Sequence, residues 1–118
     1  MSPAKKVLII DDEKDLCLLL KEYFQNKNYE VTTASTLSDC KAIIDQVHPD
    51  ILFLDNNLPD GTGWQYAPVI ASRFHSIYVV MMSAFHPEIP AMPATARYCV
   101  IEKPIGLADL DKLLSGFR

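Results

Sequence analysis

The feature of the chain that most restricts its fold is a pair of continuous apolar runs, each ending in aspartate. Residues 6–10 (KVLII) run into Asp11 and Asp12, and residues 51–54 (ILFL) run into Asp55. A strand that is apolar on both faces is typical of a parallel sheet covered on both sides. The two runs therefore predict buried parallel strands with carboxylates at their ends.

Helix-like and strand-like segments alternate along the rest of the chain. This alternation predicts an α/β fold in one domain, residues 1–118, built on a doubly wound five-stranded parallel sheet. A sequence similar to a capping box, Thr36 to Asp39, precedes one helix, whereas Pro68 weakens the prediction of another. We predict strands at 6–11, 29–34, 50–55, 77–82 and 98–102, and helices at 14–27, 37–47, 64–74 and 107–117.

Composition restricts the class of protein. The 118 residues are 49% apolar and 22% charged, which is ordinary for a globular domain. A net charge of −4 argues against nucleic-acid binding by bulk charge, and no apolar run approaches the length of a membrane span. Three widely spaced cysteines form neither a metal-binding pair nor a disulfide framework. We therefore expect a cytoplasmic protein that contacts neither nucleic acid nor a membrane directly.

Polar residues stand at the end of four predicted strands. Asp11 and Asp12 follow the first strand, Asp55 ends the third, Ser83 ends the fourth and Lys103 follows the fifth. Each has an ordinary structural interpretation, as a helix cap, a turn residue or a surface charge. Ligands of open parallel sheets, however, bind at the carboxyl ends of the strands. Crowded carboxylates repel one another, and such hard oxygen ligands suit magnesium, so the set predicts a magnesium site at this edge.

Four segments at the strand ends resemble the receiver domains of two-component response regulators. They are residues 9–13 (IIDDE), 54–63 (LDNNLPDGTG), 82–84 (MSA) and 102–105 (EKPI), in the family's order along the chain. The resemblance covers essentially the whole chain. It implies a flavodoxin-like strand order 2-1-3-4-5 and a cis peptide bond before Pro104.

The resemblance also implies a phosphorylation-dependent signalling switch. Asp55 is expected to accept a phosphoryl group from the phosphohistidine of a sensor histidine kinase or a histidine phosphotransfer protein. Lys103 would pair with the acceptor and then with the phosphoryl oxygens, and the Ser83 hydroxyl would bond to the phosphoryl group. Such a protein is no enzyme beyond its own phosphorylation and dephosphorylation, and a downstream protein or output domain would read its state.

A magnesium ion is the cofactor that the resemblance implies. Asp12, Asp55 and the backbone carbonyl of Asn57 would bind the ion directly, and Asp11 would hold it through water. Phosphoryl transfer depends mainly on positioning and on neutralising oxygen charge, which a metal ion and a lysine both provide.

The chain departs from the family pattern after the fourth strand. Pro87, Pro90 and Pro93 recur at three-residue intervals where the fourth helix is expected. Each proline removes a backbone donor and clashes inside a helix, so we predict an irregular or shortened fourth helix between Ala84 and Arg97. Val100 stands where the family usually has an aromatic residue.

Two alternative functions remain open from the sequence. One is a pseudo-receiver that only binds partners, although such a domain is expected to lack one or more of the acidic or lysine positions. The other is a magnesium-dependent aspartyl phosphohydrolase of the haloacid-dehalogenase kind. Those enzymes place a second acid two residues after the nucleophile, whereas Asp11 and Asp12 are adjacent and residue 13 is Glu13.

Overall fold

A five-stranded parallel sheet with helices on both faces forms the fold, in a computed structural model that describes residues 4–85 and 87–117. The longest described helix has 12 residues, and no described helix is long and apolar enough to cross a membrane. The elements are β1 (Lys6–Ile10), α1 (Lys14–Gln25), β2 (Glu30–Ala34), α2 (Leu37–Val47), β3 (Ile51–Asp55), β4 (Asn57–Leu58), β5 (Gly61–Thr62), α3 (Ala67–Arg73), β6 (Tyr78–Ser83), β7 (Arg97–Glu102) and α4 (Leu107–Phe117).

The strand order of the main sheet is β2-β1-β3-β6-β7, and every neighbouring pair is parallel. When only the five strands of this sheet are numbered in chain order, their order is 2-1-3-4-5. The predicted strand order is therefore confirmed. The loop predicted after Asp55 contains one further feature, a short antiparallel ladder between β4 and β5. Parallel pairing brings all five carboxyl ends to one edge, so the residues that end the strands share that edge.

Alternate residues of the strands pack into two separate layers of core. In β1, Val7 and Ile9 face α1 and α4, whereas Leu8 and Ile10 face α2 and α3. All five residues of β3 are buried, as its continuous apolar run predicts. Because both faces of these strands are covered, a shift of register by one residue would exchange the two layers, and the pairing is therefore strongly specified.

The helix predicted at 64–74 begins differently from the prediction. Residues Gly63–Tyr66 form a 3-10 turn, and α3 starts only at Ala67. This places Pro68 in the first turn of α3, where a missing N–H costs no helical hydrogen bond. Helix α1 also ends at Gln25 rather than at residue 27, before Asn28 adopts a left-handed conformation.

The predicted irregularity of the fourth helix is confirmed for the described residues. Residues 84–85 and 87–96 contain no helix, and His86 lies outside the described residues. The prolines at 87, 90 and 93 are half-buried, and Met92 packs against the core layer of α2 and α3. An irregular proline-rich segment therefore packs against the core where the family pattern would place a helix.

The first three N–H groups of α2 are satisfied by side chains from two different places. Thr36 Oγ1 accepts from Asp39 N at 3.0 Å, as the local sequence predicts. The Asp60 carboxylate accepts from Leu37 N at 2.8 Å and from Ser38 N at 2.9 Å. These bonds tie the loop after Asp55 to α2, and they hold the pKa of Asp60 below its usual value of 3.8.

Asp60→Ala should lower the melting temperature at pH 7, because two N–H groups at the start of α2 lose their acceptor. A carboxyl group with a lowered pKa in the folded state stabilises above its unfolded pKa and loses that contribution as pH falls. The difference in melting temperature between Asp60→Ala and the wild type should therefore disappear as the pH falls below about 4. Thermal melts between pH 3 and 7 measure this, with Glu22→Ala, at an exposed position of α1, as the control. A gap independent of pH would contradict the role of the Asp60 charge.

Candidate functional site

The sheet edge brings five of the predicted site residues together. Asp55 is the last residue of β3 and pairs with Met82, and Ser83 is the last residue of β6 and pairs with Glu102. Asp11 follows β1, whose last residue Ile10 pairs with Leu54. Because the register aligns these strand ends, the polar residues beyond them face one another across the edge. The five are Asp11, Asp12, Asp55, Ser83 and Lys103.

The Lys103 ammonium lies among three carboxylates. Its Nζ is 2.8 Å from Asp11 Oδ2, 3.2 Å from Asp55 Oδ1 and 3.4 Å from Glu13 Oε1. Asp11 and Asp55 are only 2% and 3% exposed, so these two ion pairs are shielded from water. Asp11 Oδ2 is buried, and its ion pair with Lys103 is the contact that compensates its charge. Backbone hydrogen bonding fixes the lysine, since Lys103 N donates to Ser83 O at 2.9 Å.

Burial and crowding shift the pKa values of the two central groups. Burial, and after it the Asp11 carboxylate, raises the pKa of Asp55, Lys103 opposes both, and the resulting pKa is about 6. Burial also disfavours the charged form of Lys103, but the ion pairs with Asp11 and Asp55 outweigh it and raise the pKa of the ammonium. At neutral pH the pair is therefore ionised, with the Asp55 carboxylate more basic than usual.

Three carboxylates at this edge could hold a metal ion. Oxygens of Asp11, Asp12 and Asp55 all lie within 4.8 Å of one another. Together with Lys103 these groups carry −3 + 1 = −2, so the lysine leaves negative charge uncompensated. Asp11 Oδ1 already accepts from Glu13 N at 2.8 Å and Oδ2 faces Lys103, whereas Asp12 is exposed. The donor set of hard oxygens fits a divalent cation such as magnesium.

A cavity of about 320 Å³ opens beside the acceptor carboxylate. Asp55, Ser83 and Lys103 line it, and so does Asn57, which is exposed in β4. Ser83 Oγ accepts a hydrogen bond from Phe85 N at 3.2 Å, which leaves its own hydroxyl proton available. The cavity therefore presents a carboxylate, an ammonium and a hydroxyl to one small ligand.

Trp64 is a structural residue of the site that the sequence did not indicate. Its indole Nε1 donates to Leu54 O at 3.3 Å and to Met82 O at 3.1 Å, so one ring joins the ends of β3 and β6. Its backbone N donates to Asn56 Oδ1 at 3.2 Å. The sequence shows Trp64 only as the start of a helix, and no local pattern indicates these long-range bonds.

Glu13 and Phe85 were also missed as site residues. Glu13 contacts Lys103, and both Glu13 and Phe85 line the cavity. Glu13 had a local signal, because it directly continues the acidic pair Asp11-Asp12. Phe85 had none, since an aromatic residue two positions after a strand predicts packing as readily as exposure.

A family model for the response regulator receiver domain matches residues 7–115 of the chain. The match spans the main sheet from Val7 onward and most of α4. It covers all the strand ends that form the site.

Solved structures of similar shape support the fold. The chemotaxis protein CheY4 of Vibrio cholerae is 22% identical, with a TM-score of 0.80 over 98% of this chain and 100% of that one. The response regulator TrrA of Thermotoga maritima, solved with Mg²⁺-BeF, is 20% identical, with a TM-score of 0.77 over 97% and 99% of the two chains. A complex of the histidine kinase ThkA with TrrA gives 23% identity and a TM-score of 0.77 over 96% and 97%.

Gly63→Ala should destabilise the protein by about 1–3 kcal/mol, because buried overpacking forces the surroundings to move. A Cβ at Gly63 would lie well inside van der Waals contact with the Asp55 carbonyl oxygen, and also close to Leu54 and Leu58 side chains. Gly116→Ala is the matched control: nothing lies within 4 Å of its added Cβ, so the helix should gain about 0.5–1 kcal/mol. Urea unfolding of both variants tests this, and equal stabilities would contradict the close approach at Gly63.

Proposed function

The chain belongs to the response regulator receiver domain family, and on that premise we propose that Asp55 is its phosphoacceptor. The donor is a phosphohistidine of a sensor histidine kinase or of a histidine phosphotransfer protein. Receiver domains are modules of phosphorylation-dependent signalling in two-component systems rather than conventional enzymes. The proposed activity is confined to the domain's own phosphorylation and dephosphorylation.

The observation that carries this proposal is the position of Lys103. Its Nζ lies 2.8 Å from Asp11 and 3.2 Å from Asp55, at a cavity that Ser83 also lines. Among Asp11, Asp55, Ser83 and Lys103, Asp55 is the one buried carboxylate that ends a strand and lines the cavity. A buried, basic carboxylate beside a fixed cation is suited to attack an electrophilic phosphorus.

The residues around Asp55 provide what phosphoryl transfer requires. An Asp55 carboxylate oxygen forms the new bond to phosphorus as the bond from phosphorus to the donor nitrogen breaks. Lys103 then neutralises charge on the phosphoryl oxygens, because its ammonium is already held beside Asp55 Oδ1. Ser83 can donate its hydroxyl proton to a phosphoryl oxygen while it still accepts from Phe85 N–H.

Magnesium is the proposed cofactor of the transfer. Asp12, Asp55 and the backbone carbonyl of Asn57 would bind it directly, and Asp11, whose two oxygens face Glu13 N–H and Lys103, would hold it through water. A bound magnesium ion supplies positive charge to the phosphoryl oxygens as they approach the carboxylates.

The remaining parts of the proposal concern the whole chain. The 118 residues act as one receiver domain in the cytoplasm, and a downstream protein or an output domain reads the phosphorylated state. A net charge of −4 supports readout through protein contacts rather than direct binding of nucleic acid.

Asp55→Asn should abolish phosphorylation by acetyl phosphate and magnesium while the fold is kept, because the amide cannot act as the nucleophile. Intact-mass spectrometry should find one phosphoryl group on the wild type and none on the variant. Asp15→Asn, an exposed acid at the start of α1, is the matched control and should be phosphorylated like the wild type.

The same measurement separates the alternative functions. An adduct of undiminished yield on Asp55→Asn would refute the acceptor assignment, and no adduct on the wild type would favour a pseudo-receiver. Many turnovers of a small phosphate ester would favour a phosphohydrolase, since a receiver keeps its single phosphoryl group until it decays.

Magnesium should raise the melting temperature of the wild type. The rise should be much smaller for Asp12→Ala, which lacks one proposed ligand. A ligand that binds only the folded state adds about 2.7 kcal/mol at a hundredfold excess over its Kd. Thermal melts with magnesium and with a chelator measure the shift, and Asp15→Ala serves as the control. An equal shift in Asp12→Ala would exclude Asp12 as a ligand.

A further inference from the structure

Trp64 joins the two strand ends that carry the proposed acceptor and the hydroxyl beside it. Its indole Nε1 donates to Leu54 O at 3.3 Å and to Met82 O at 3.1 Å. These carbonyls belong to the residues directly before Asp55 and Ser83, which line the same cavity. A single N–H group therefore bridges the two peptide groups that carry these cavity residues.

Burial explains why the indole needs an acceptor but not why it has these two. The side chain of Trp64 is 2% exposed, and a buried indole N–H usually finds a hydrogen-bond partner. Met82 O, however, already accepts from Asn56 N at 3.0 Å, as the parallel ladder requires. The indole thus adds a second donor to a carbonyl that the sheet has satisfied, and what it adds is restraint at the end of the strand.

Ser83 depends on this restraint more than Asp55 does. The residue after Asp55 is held by a further bond, since Trp64 N donates to Asn56 Oδ1 at 3.2 Å. Beyond Ser83, the described residues before β7 form neither helix nor strand. The two peptide groups that flank Ser83 are held by the indole and by Lys103 N, which donates to Ser83 O at 2.9 Å.

We infer that Trp64 is a positioning residue for phosphoryl transfer and that it acts through Ser83. The inference rests on the proposed function. With Met82 O held, the Ser83 hydroxyl stays beside the cavity that Asp55 and Lys103 also line, where it can donate to a phosphoryl oxygen. Without the indole N–H, the peptide before Ser83 can shift, and a small displacement of a donor lowers the rate of transfer.

The test removes the N–H and keeps the ring. Trp64 is the only tryptophan of the chain, so a tryptophan analogue supplied during expression replaces this one side chain. Benzothienylalanine has the shape of tryptophan with sulfur in place of the N–H, whereas a ring-fluorinated tryptophan keeps the N–H and is the matched control. Each protein is prepared with and without Ser83→Ala. Intact mass gives the slope of phosphorylation rate against acetyl phosphate concentration, with magnesium present.

Benzothienylalanine should lower this slope about two- to tenfold, the range expected for the loss of one neutral hydrogen bond. Ser83→Ala should itself be slower than the wild type. In that background the same analogue should change the slope much less, because the hydroxyl that Trp64 positions is gone. The fluorinated control should match unlabelled protein in both backgrounds. The melting temperature should change little, since Met82 O keeps its bond from Asn56 N.

Four results would overturn the inference while the acceptor role of Asp55 stands. They are equal losses with and without Ser83→Ala, no loss in either background, the same loss with the fluorinated control, and a Ser83→Ala variant as fast as the wild type. If benzothienylalanine prevents folding, Trp64→Phe, which also lacks the N–H, takes its place with the same expected and contrary results. A wild type that acetyl phosphate does not phosphorylate would refute the proposed function and the inference together.

Discussion

The rest of the site depends on one ammonium group placed between two buried carboxylates. Lys103 Nζ is within 3.2 Å of both Asp11 and Asp55, and each of these carboxyl groups is almost fully buried. Removing one partner of a buried pair generally costs about 3–5 kcal/mol, because the other charge is left buried without compensation. The compensation is still incomplete, because Asp12 adds a third carboxylate. Burial, and after it the Asp11 carboxylate, keeps the pKa of Asp55 raised at about 6. The site therefore has a deficit of positive charge. A divalent cation would reduce this deficit, whereas an incoming phosphoryl group would increase it.

The backbone around this lysine is held by bonds that span the sheet. Trp64 Nε1 donates to carbonyls at the ends of β3 and β6, the strands that end in Asp55 and Ser83. Lys103 N donates to Ser83 O, which joins the end of β6 to the residue after β7. Each of these contacts fixes one strand end relative to the next. The charges consequently stay at the distances that their ion pairs require, since a site on rigid elements loses less geometry than one on loops.

The sequence predicts the placement of the charges well because that placement follows from strand periodicity. Once residues 6–10 and 51–54 are buried parallel strands, Asp11 and Asp55 must emerge at the same edge, whatever the loops do. The roles assigned to those residues came from the family resemblance and not from periodicity. The sequence could not indicate the Asp60 bonds to α2 or the indole bonds of Trp64, which join residues 10 to 23 positions apart. Contacts of that kind depend on the folded chain, and no local pattern encodes them. The late start of α3 could have been read locally, because Pro68 favours a first turn.

The proline-rich segment shows which requirement of the fold is strict and which is not. Burial of the sheet face is strict, and Met92 contributes to it by packing against the core from a segment without regular structure. A helix at this place is not required, because a proline has no backbone N–H that needs an acceptor, and half-buried proline rings cover apolar surface without a helix. The coverage is nevertheless thinner at the sheet edge, where Tyr98 and Val100 of β7 remain 40% and 41% exposed. The residues that surround Asp55 are thus held by strand pairing and ion pairs, while the neighbouring surface from Phe85 to Val100 lacks a regular helix among its described residues. The need for charge compensation at the strand ends and the freedom of this surface follow from the same rule, since only buried polar groups must find partners.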